Sequence, residues 1–287
     1  MRDNLTRRQF LGTAAAASAA LTEIPAASEQ AETPAGPTSG PRIVDSHVHL
    51  RHGNAARTEY SPETIVETMD QVGIDQSVVF AICTTTGHSI EMAEAAVKKY
   101  PDRLIPYVYA LPHYQRPVIK EIEGVLSGGR FRGVKIHAGE CTLAEYVVDP
   151  VLDTAGKHGV PCLIDCLGNY PVARRMAQSF PKTKLIVAHM GRFLSKDKEL
   201  LDQFIGLAEE FSNVLLDLSG VVIVEKIEEA VQRIGSARLL WGTDGPDKQP
   251  DTVTYARNEL EKIRRLSLSE QDKANILGRT ACNLLGL

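Results

Sequence analysis

The sequence predicts a single-domain (β/α)8 TIM barrel over residues 42–287. Short apolar runs alternate with amphipathic helical stretches eight times along this segment, as in a parallel sheet built from β-α units. The runs are almost continuously hydrophobic, which is typical of strands that are buried on both faces. An open doubly wound sheet is the alternative, but no GxGxxG turn follows the first predicted strand. The segment is also close to the ~250 residues of a typical barrel of this kind.

The eight predicted strands are short and rich in β-branched and other apolar residues. They cover residues 43–50, 77–83, 104–110, 133–137, 161–167, 185–189, 214–218 and 239–242. The helical pattern covers residues 61–72, 90–100, 118–126, 150–158, 172–180, 198–210, 224–234 and 253–266, with a helical tail over 270–285. The first helix shows the expected end signals, because Ser61-Pro62 opens it and Gly73 follows it.

Composition excludes several classes of protein. Hydrophobic residues make up 43% of the 287 residues and charged residues 24%, as in soluble globular proteins. No apolar run reaches the ~18–20 residues of a membrane-spanning helix, so we do not expect a multi-pass membrane protein. The formal net charge of -4 argues against non-specific binding to nucleic acid.

The first forty residues differ in character from the rest. Arg7-Arg8 precedes a weakly apolar, alanine-rich run, and this order resembles a twin-arginine export signal. We predict a signal peptide over residues 1–27 and a flexible linker over 28–41, rich in Pro, Gly and small polar residues. The mature protein is then expected outside the bacterial cytoplasm, in the periplasm or beyond. Its partner on the way is the twin-arginine export machinery, and no stable membrane anchor remains after cleavage.

Polar residues cluster where the predicted strands end. Asp45, His47 and His49 alternate at the end of the first strand, so both imidazoles share one face and can reach one point. Paired imidazoles are common ligands of zinc and similar ions. Two histidines held by hydrogen bonds at the mouth of a barrel are the alternative.

His189 closes the sixth predicted strand and Asp244 follows the eighth. A histidine or a carboxylate at the end of an apolar strand is costly to bury without a partner. Because reactive side chains of such barrels collect at the C-terminal ends of the strands, we expect these groups around one rim.

The segments that carry these residues resemble the amidohydrolase superfamily, in its amidohydrolase-related branch of hydrolases, lactonases and non-oxidative decarboxylases. The matching segments are IVDSHVHL, GVKIHAG, LIVAHMGR, LLWGTDGP and NILGRTACNLLGL. The resemblance implies that His47 and His49 bind one divalent metal ion, and that Asp244 is a ligand or a proton acceptor. It also implies that His189 activates water or substrate.

The fifth strand departs from the family pattern. Asp165 stands where the family usually has a histidine ligand. Asp165 as a fourth ligand is our first reading, and two carboxylates would favour manganese or iron although zinc tolerates them. His137, at the end of the fourth strand, could instead supply the missing imidazole. A weakened or lost metal site is the third reading.

Four residues are candidates for contact with a substrate. Lys135 either faces the mouth as a cation for a carboxylate or oxyanion, or is a solvated lysine or one paired with an acid such as Asp165. His137 lies on the same face, Arg192 follows His189, and Asn169 follows the fifth strand. For Arg192 a surface ion pair is the simpler alternative.

These observations predict a metal-dependent hydrolase that acts on a small amide, ester or lactone through metal-activated water. The expected cofactor is one divalent ion, with zinc first and manganese or iron as alternatives. A metal-dependent decarboxylase of an unsaturated or aromatic acid needs the same residues and is the main alternative. A binding protein that lost its chemistry with the fifth-strand histidine is a third possibility. The sequence fixes neither the substrate nor a possible homo-oligomeric state.

Overall fold

A computed structural model describes residues 40–246 and 248–287. Eight parallel strands form one sheet in chain order and alternate with helices, so the predicted (β/α)8 barrel is confirmed. The strands are β1 Val44–Arg51, β2 Gln76–Ala81, β3 Leu104–Tyr109, β4 Gly133–His137, β5 Cys162–Asp165, β6 Leu185–Val187, β7 Val214–Asp217 and β8 Leu239–Leu240.

Helices follow every strand and cover the outside of the sheet. They are α1 Pro62–Val72, α2 Thr86–Lys99, α3 Ile119–Leu126, α4 Glu145–Lys157, α5 Tyr170–Ser179, α6 Lys198–Glu210, α7 Glu225–Ile234, α8 Thr252–Arg264, α9 Glu270–Ala274 and α10 Thr280–Leu285. Two 3-10 turns, Ala188–Gly191 and Ser236–Arg238, and a π-helical turn, Asn275–Arg279, complete the described elements.

The barrel is nearly closed by contacts between β1 and the segment that follows β8. Val48 and Gly245 form a parallel bridge. The Asp244 amide donates to the His47 carbonyl at 2.8 Å, and the Ser46 amide donates to the Trp241 carbonyl at 3.0 Å. This closure brings the polar ends of β1 and β8 side by side.

Alternation within the strands explains their continuous apolar runs. On β3, Ile105, Tyr107 and Tyr109 belong to the core inside the barrel, whereas Leu104 and Val108 pack in the layer between strands and helices. Both faces of each strand are therefore buried. Alternate residues face either the inside of the barrel or the layer beneath the helices, and neither face is exposed to solvent. A polar residue that falls on the inward series must lie inside the barrel.

Several element ends differ from prediction. Helix α4 begins at Glu145, five residues before the predicted start at Pro150, because Val147 and Val148 are buried and extend the packed face upstream. Strand β6 ends at Val187 rather than at residue 189, because the chain enters a 3-10 turn there. Strand β5 likewise ends at Asp165 rather than at residue 167.

The predicted signal peptide, residues 1–27, and nearly all of the predicted linker, residues 28–41, lie outside the described residues. Both assignments stay predictions. Among the residues that are described, no helix combines the length and the apolar character needed to cross a membrane.

Helix α6 offers a simple test of a local stabilising contact. Asp197 caps its N-terminus, with Oδ1 accepting hydrogen bonds from the amides of Glu199 at 3.0 Å and Leu200 at 3.1 Å. We expect Asp197→Ala to lower the free energy of unfolding by about 1 kcal/mol, because these amides lose their acceptor. Urea denaturation measures the change. The neighbouring Lys196→Ala is the control, and equal midpoints for the two variants would contradict the prediction.

Candidate active site

A cavity of about 460 Å³ opens at the C-terminal ends of the strands. Seven of the residues singled out in the sequence line it: His47, His49, Lys135, His137, Asp165, His189 and Asp244. They come from β1, β4, β5, the turn after β6 and the loop after β8. The parallel arrangement therefore gathers side chains that are almost 200 positions apart in the chain.

His47, His49 and Asp244 converge on one point of this cavity. The Oδ1 atom of Asp244 lies 2.9 Å from Nε2 of His49 and 3.3 Å from Nε2 of His47. One ligand atom from each residue lies within 4.8 Å of the other two, so the group could hold a metal ion. The period of two along β1 places both rings on the inner face, as the sequence predicted.

The charges of these three residues also suit a cation. Burial lowers the pKa of His49 well below its usual value, and burial together with Lys135 lowers the pKa of His47 to about 4. Burial acts to raise the pKa of Asp244, but the contacts with His49 and His47 outweigh it and hold that pKa well below its usual value. Two neutral imidazoles and one carboxylate are the ligand states that a divalent ion requires.

Lys135 lies inside the barrel and is fully buried. Its Nζ is 3.2 Å from Nε2 of His47 and 5.1 Å from the centre of the Phe80 ring. Burial lowers the pKa of Lys135, while the charges of Asp165, Asp244 and Asp217 oppose this shift. Lys135 thus belongs to the cavity and not to the solvated surface.

Asp165 contacts the backbone of the loop after β5 and two histidines of the cavity. Its Oδ1 accepts a hydrogen bond from the Leu167 amide at 2.9 Å, and its Oδ2 lies 3.4 Å from Nε2 of His137 and 3.6 Å from Nε2 of His189. Burial acts to raise its pKa, but His189, Lys135 and His137 together keep that pKa below its usual range. The structure therefore places Asp165 between His137 and His189, in the cavity that His47, His49 and Asp244 also line, and its role as a fourth ligand stays a prediction.

The sequence suggested that His189 ends the sixth strand. In the structure β6 ends at Val187, and His189 lies in the turn that follows. Its φ is 58°, and that of Met190 is 47°, so the backbone turns left-handed at the rim. Nδ1 lies 3.0 Å from the carbonyl oxygen of Ser219, and the opposite ring edge faces Asp165. Burial opposes a charge on His189, but Asp165, Asp244 and Asp217 outweigh it and raise its pKa.

Asp217 and Ser219 contact His47 and His189, although neither is among the site residues that the sequence indicated. Oδ2 of Asp217 lies 3.2 Å from Nδ1 of His47, and the backbone amide of His189 donates to it at 3.0 Å. Leu215 faces the inside of the barrel, so period two along β7 predicts that Asp217 does the same, whereas Ser219 lies in the turn after the strand. That alternation was the signal available in the sequence.

Two further charged residues reach the cavity from loops. Lys248 donates a hydrogen bond to Oδ2 of Asp244 at 2.7 Å, and its Nζ lies 4.6 Å from the centre of the Phe193 ring. Glu140 accepts hydrogen bonds at Oε2 from the Tyr109 hydroxyl at 2.6 Å and from the Cys83 amide at 2.8 Å. No periodic pattern marks loop residues, so sequence reasoning missed both.

The remaining predicted substrate contacts divide into two kinds. His137 lines the cavity, with the Gly139 amide donating to its Nδ1 at 3.0 Å and its Nε2 facing Asp165. Asn169 instead caps helix α5, accepting from the Val172 amide at 3.3 Å, and its side chain is exposed. Arg192 is exposed as well. The structure places neither Asn169 nor Arg192 among the residues that line the cavity.

Solved structures share this fold. A probable 2-pyrone-4,6-dicarboxylic acid hydrolase from Acinetobacter baumannii, with citric acid bound, aligns with a TM-score of 0.67 at 15% identity, over 86% of this chain and 100% of that one. A 5-carboxyvanillate decarboxylase from Novosphingobium aromaticivorans, complexed with manganese and 4-hydroxy-3-methoxy-5-nitrobenzoic acid, aligns with 0.66 at 16% identity, over 86% and 97%. A zinc-bound amidohydrolase from Burkholderia multivorans aligns with 0.69 at 15% identity, over 86% and 99%.

A search of curated proteins finds no match to this chain. The amidohydrolase family model, in contrast, matches residues 44–287, which is the whole barrel from the first residue of β1. Since this match covers far more than half of the sequence, the chain belongs to the amidohydrolase family.

Proposed function

We propose that the protein is a metal-dependent hydrolase of a small amide, ester or lactone. The observation that carries the proposal is the convergence of His47, His49 and Asp244 within 4.8 Å of one another at the wall of the cavity. A divalent cation held by these three residues would supply the positive charge that polarises a carbonyl and acidifies water. Zinc suits two imidazoles and a carboxylate, and manganese accepts the same donors.

The other side chains supply proton transfer and charge. Asp244 is deprotonated, so its carboxylate can accept the proton that an attacking water loses. His189 has a raised pKa and faces the cavity, which makes it the second candidate for moving that proton and returning it to the leaving group. Lys135 and Lys248 place two ammonium groups against the same site and can stabilise an oxyanion that develops on the substrate.

Removal of the metal is the direct experiment. Protein prepared without chelator should contain a stoichiometric divalent metal by elemental analysis and should hydrolyse members of a panel of lactones, esters and amides. Chelation followed by dialysis should lower the rate at least ~100-fold, and added zinc or manganese should restore it, because carbonyl activation depends on the cation. A protein that is fully active without bound metal would contradict the proposal. Ligand binding without any turnover would favour a binding protein instead.

Decarboxylation is the second candidate, and the two lysines favour it. Lys135 and Lys248 both approach the group formed by His47, His49 and Asp244, where a substrate carboxylate would meet two cations. Release of carbon dioxide from carboxylated aromatic acids, without hydrolysis of the lactone panel, would decide for the lyase. Hydrolysis without carbon dioxide release would decide against it.

A further inference from the structure

We propose that Asp217 sets the orientation and tautomer of the His47 imidazole and anchors the backbone turn that carries His189. The inference rests on the proposed function, because it concerns how His47 presents a lone pair to a cation. Asp217 is the last residue of β7 and is fully buried beneath the cavity.

Three donors meet at one oxygen of this carboxylate. Nδ1 of His47 lies 3.2 Å from Oδ2, the His189 amide donates to it at 3.0 Å, and the Ser219 hydroxyl donates at 2.5 Å. A single buried atom therefore contacts two residues that line the cavity, one through its ring and the other through its backbone.

The contact with His47 determines where its proton lies. A carboxylate can only accept, so Nδ1 of His47 must carry the hydrogen. Nε2 then keeps its lone pair, and that atom is the one beside Asp244 and Lys135. A carboxylate behind a ligating imidazole both selects the tautomer and makes the ring more basic.

The same carboxylate also holds His189. Its hydrogen bond to the His189 amide anchors the left-handed turn, in which His189 has a φ of 58°. The carbonyl oxygen of Ser219 lies 3.0 Å from Nδ1 of His189 and can only accept, so Nδ1 carries a hydrogen here as well. Nε2 of His189 is left to face Asp165.

A second metal ion bound by His47, His189 and Asp217 is the competing interpretation, since their ligand atoms also lie within 4.8 Å of one another. Two contacts argue against it. Oδ2 of Asp217 already meets three donors, and Nδ1 of His189 needs its hydrogen for the Ser219 carbonyl. The other oxygen, Oδ1, is buried and has no hydrogen-bond partner among the described residues, so metal stoichiometry must decide between the two interpretations.

Zinc binding by Asp217→Asn in the full chain tests the proposal. Asparagine keeps the shape but can donate to Nδ1 of His47, which favours the opposite tautomer. We expect the zinc dissociation constant to rise about 10- to 100-fold, with the wild-type stoichiometry of one zinc per chain unchanged. Asp202→Asn is the matched control, because Asp202 lies on the outer helix α6 and pairs with Lys226, and it should bind zinc like the wild type.

A purely structural role for Asp217 would change stability without changing the tautomer. The ¹⁵N shifts of the imidazole nitrogens report the tautomer directly, and we expect the His47 signals to change in Asp217→Asn. If this variant does not fold, Ser219→Ala removes one donor from the same oxygen and should weaken zinc binding to a smaller extent. An intact His47 tautomer with wild-type zinc affinity in the folded variants would overturn the proposal.

Metal stoichiometry separates the remaining outcomes. Two zinc ions in the wild type and one in Asp217→Asn would make Asp217 a ligand and overturn its positioning role. A wild-type chain that binds no zinc, manganese or iron contradicts the proposed function. The ¹⁵N spectrum of that chain still decides whether Asp217 sets the His47 tautomer.

Discussion

Replacing Asp244 with asparagine is expected to lower kcat by about 10³-fold, because the site loses its anionic ligand and its proton acceptor together. Asp244 is the carboxylate that both imidazoles of β1 share, and its second oxygen accepts from Lys248. The variant leaves two neutral rings and two lysines around the place where a cation should lie. Steady-state kinetics on a hydrolysed member of the panel and elemental analysis of the same sample give the two readouts.

Asp202→Asn again serves as the matched control, and its kcat and metal content should equal those of the wild type. The metal readout separates the two roles of Asp244. Loss of metal indicates that the ligand role dominates, whereas retained metal with a low kcat indicates the proton acceptor. An Asp244→Asn variant that keeps most of the wild-type kcat contradicts both roles and leaves His189 as the proton acceptor.

Replacing Gly191 with alanine is expected to lower the free energy of unfolding by roughly 2–5 kcal/mol, since it combines backbone strain with overpacking. Gly191 has a φ of 110°, which L side chains rarely adopt. A Cβ at this position would also lie 2.2 to 2.8 Å from three ring atoms of Phe204, which is fully buried in α6. The turn that carries His189 would have to move, so kcat should fall as well.

Gly124→Ala is the matched control for this substitution. Gly124 lies within α3 and a Cβ there meets nothing within 4 Å, so alanine should leave stability unchanged or raise it by up to ~1 kcal/mol. Thermal and urea denaturation of both variants give the comparison. Equal midpoints for Gly191→Ala and the wild type would contradict the predicted overlap with Phe204.

The fold could be predicted because its signals are local. Alternating apolar runs and helical periodicity place all eight strands, and β4 matches its predicted residues 133–137. Strand ends were less predictable, because the chain leaves β6 through left-handed residues that are not glycine. The identities of His189 and Met190 do not predict a positive φ, because neither residue is a glycine and the surrounding contacts impose this conformation.

Part of the site was predictable, because side chains alternate along a strand and all eight parallel strands end on the same side of the barrel. His47, His49, Lys135 and Asp244 line one cavity for that reason. The partners of Asp165 were not predictable, because they depend on register: Asp165 pairs with His137 across β4 and β5, and a separate turn brings His189 beside it. Lys248 and Glu140 lie in loops, where no repeating pattern of residues indicates which way a side chain points.

Left-handed backbone at the rim has a consequence for the balance between stability and activity. Cys83, Leu167, His189 and Asp244 have φ values of 57°, 50°, 58° and 54°, and each lies just after a strand. Such conformations cost non-glycine residues about 1–3 kcal/mol each, so the barrel core must offset this cost for the side chains to face the cavity. The rim is therefore the part of the protein where selection for greater stability would conflict most directly with function.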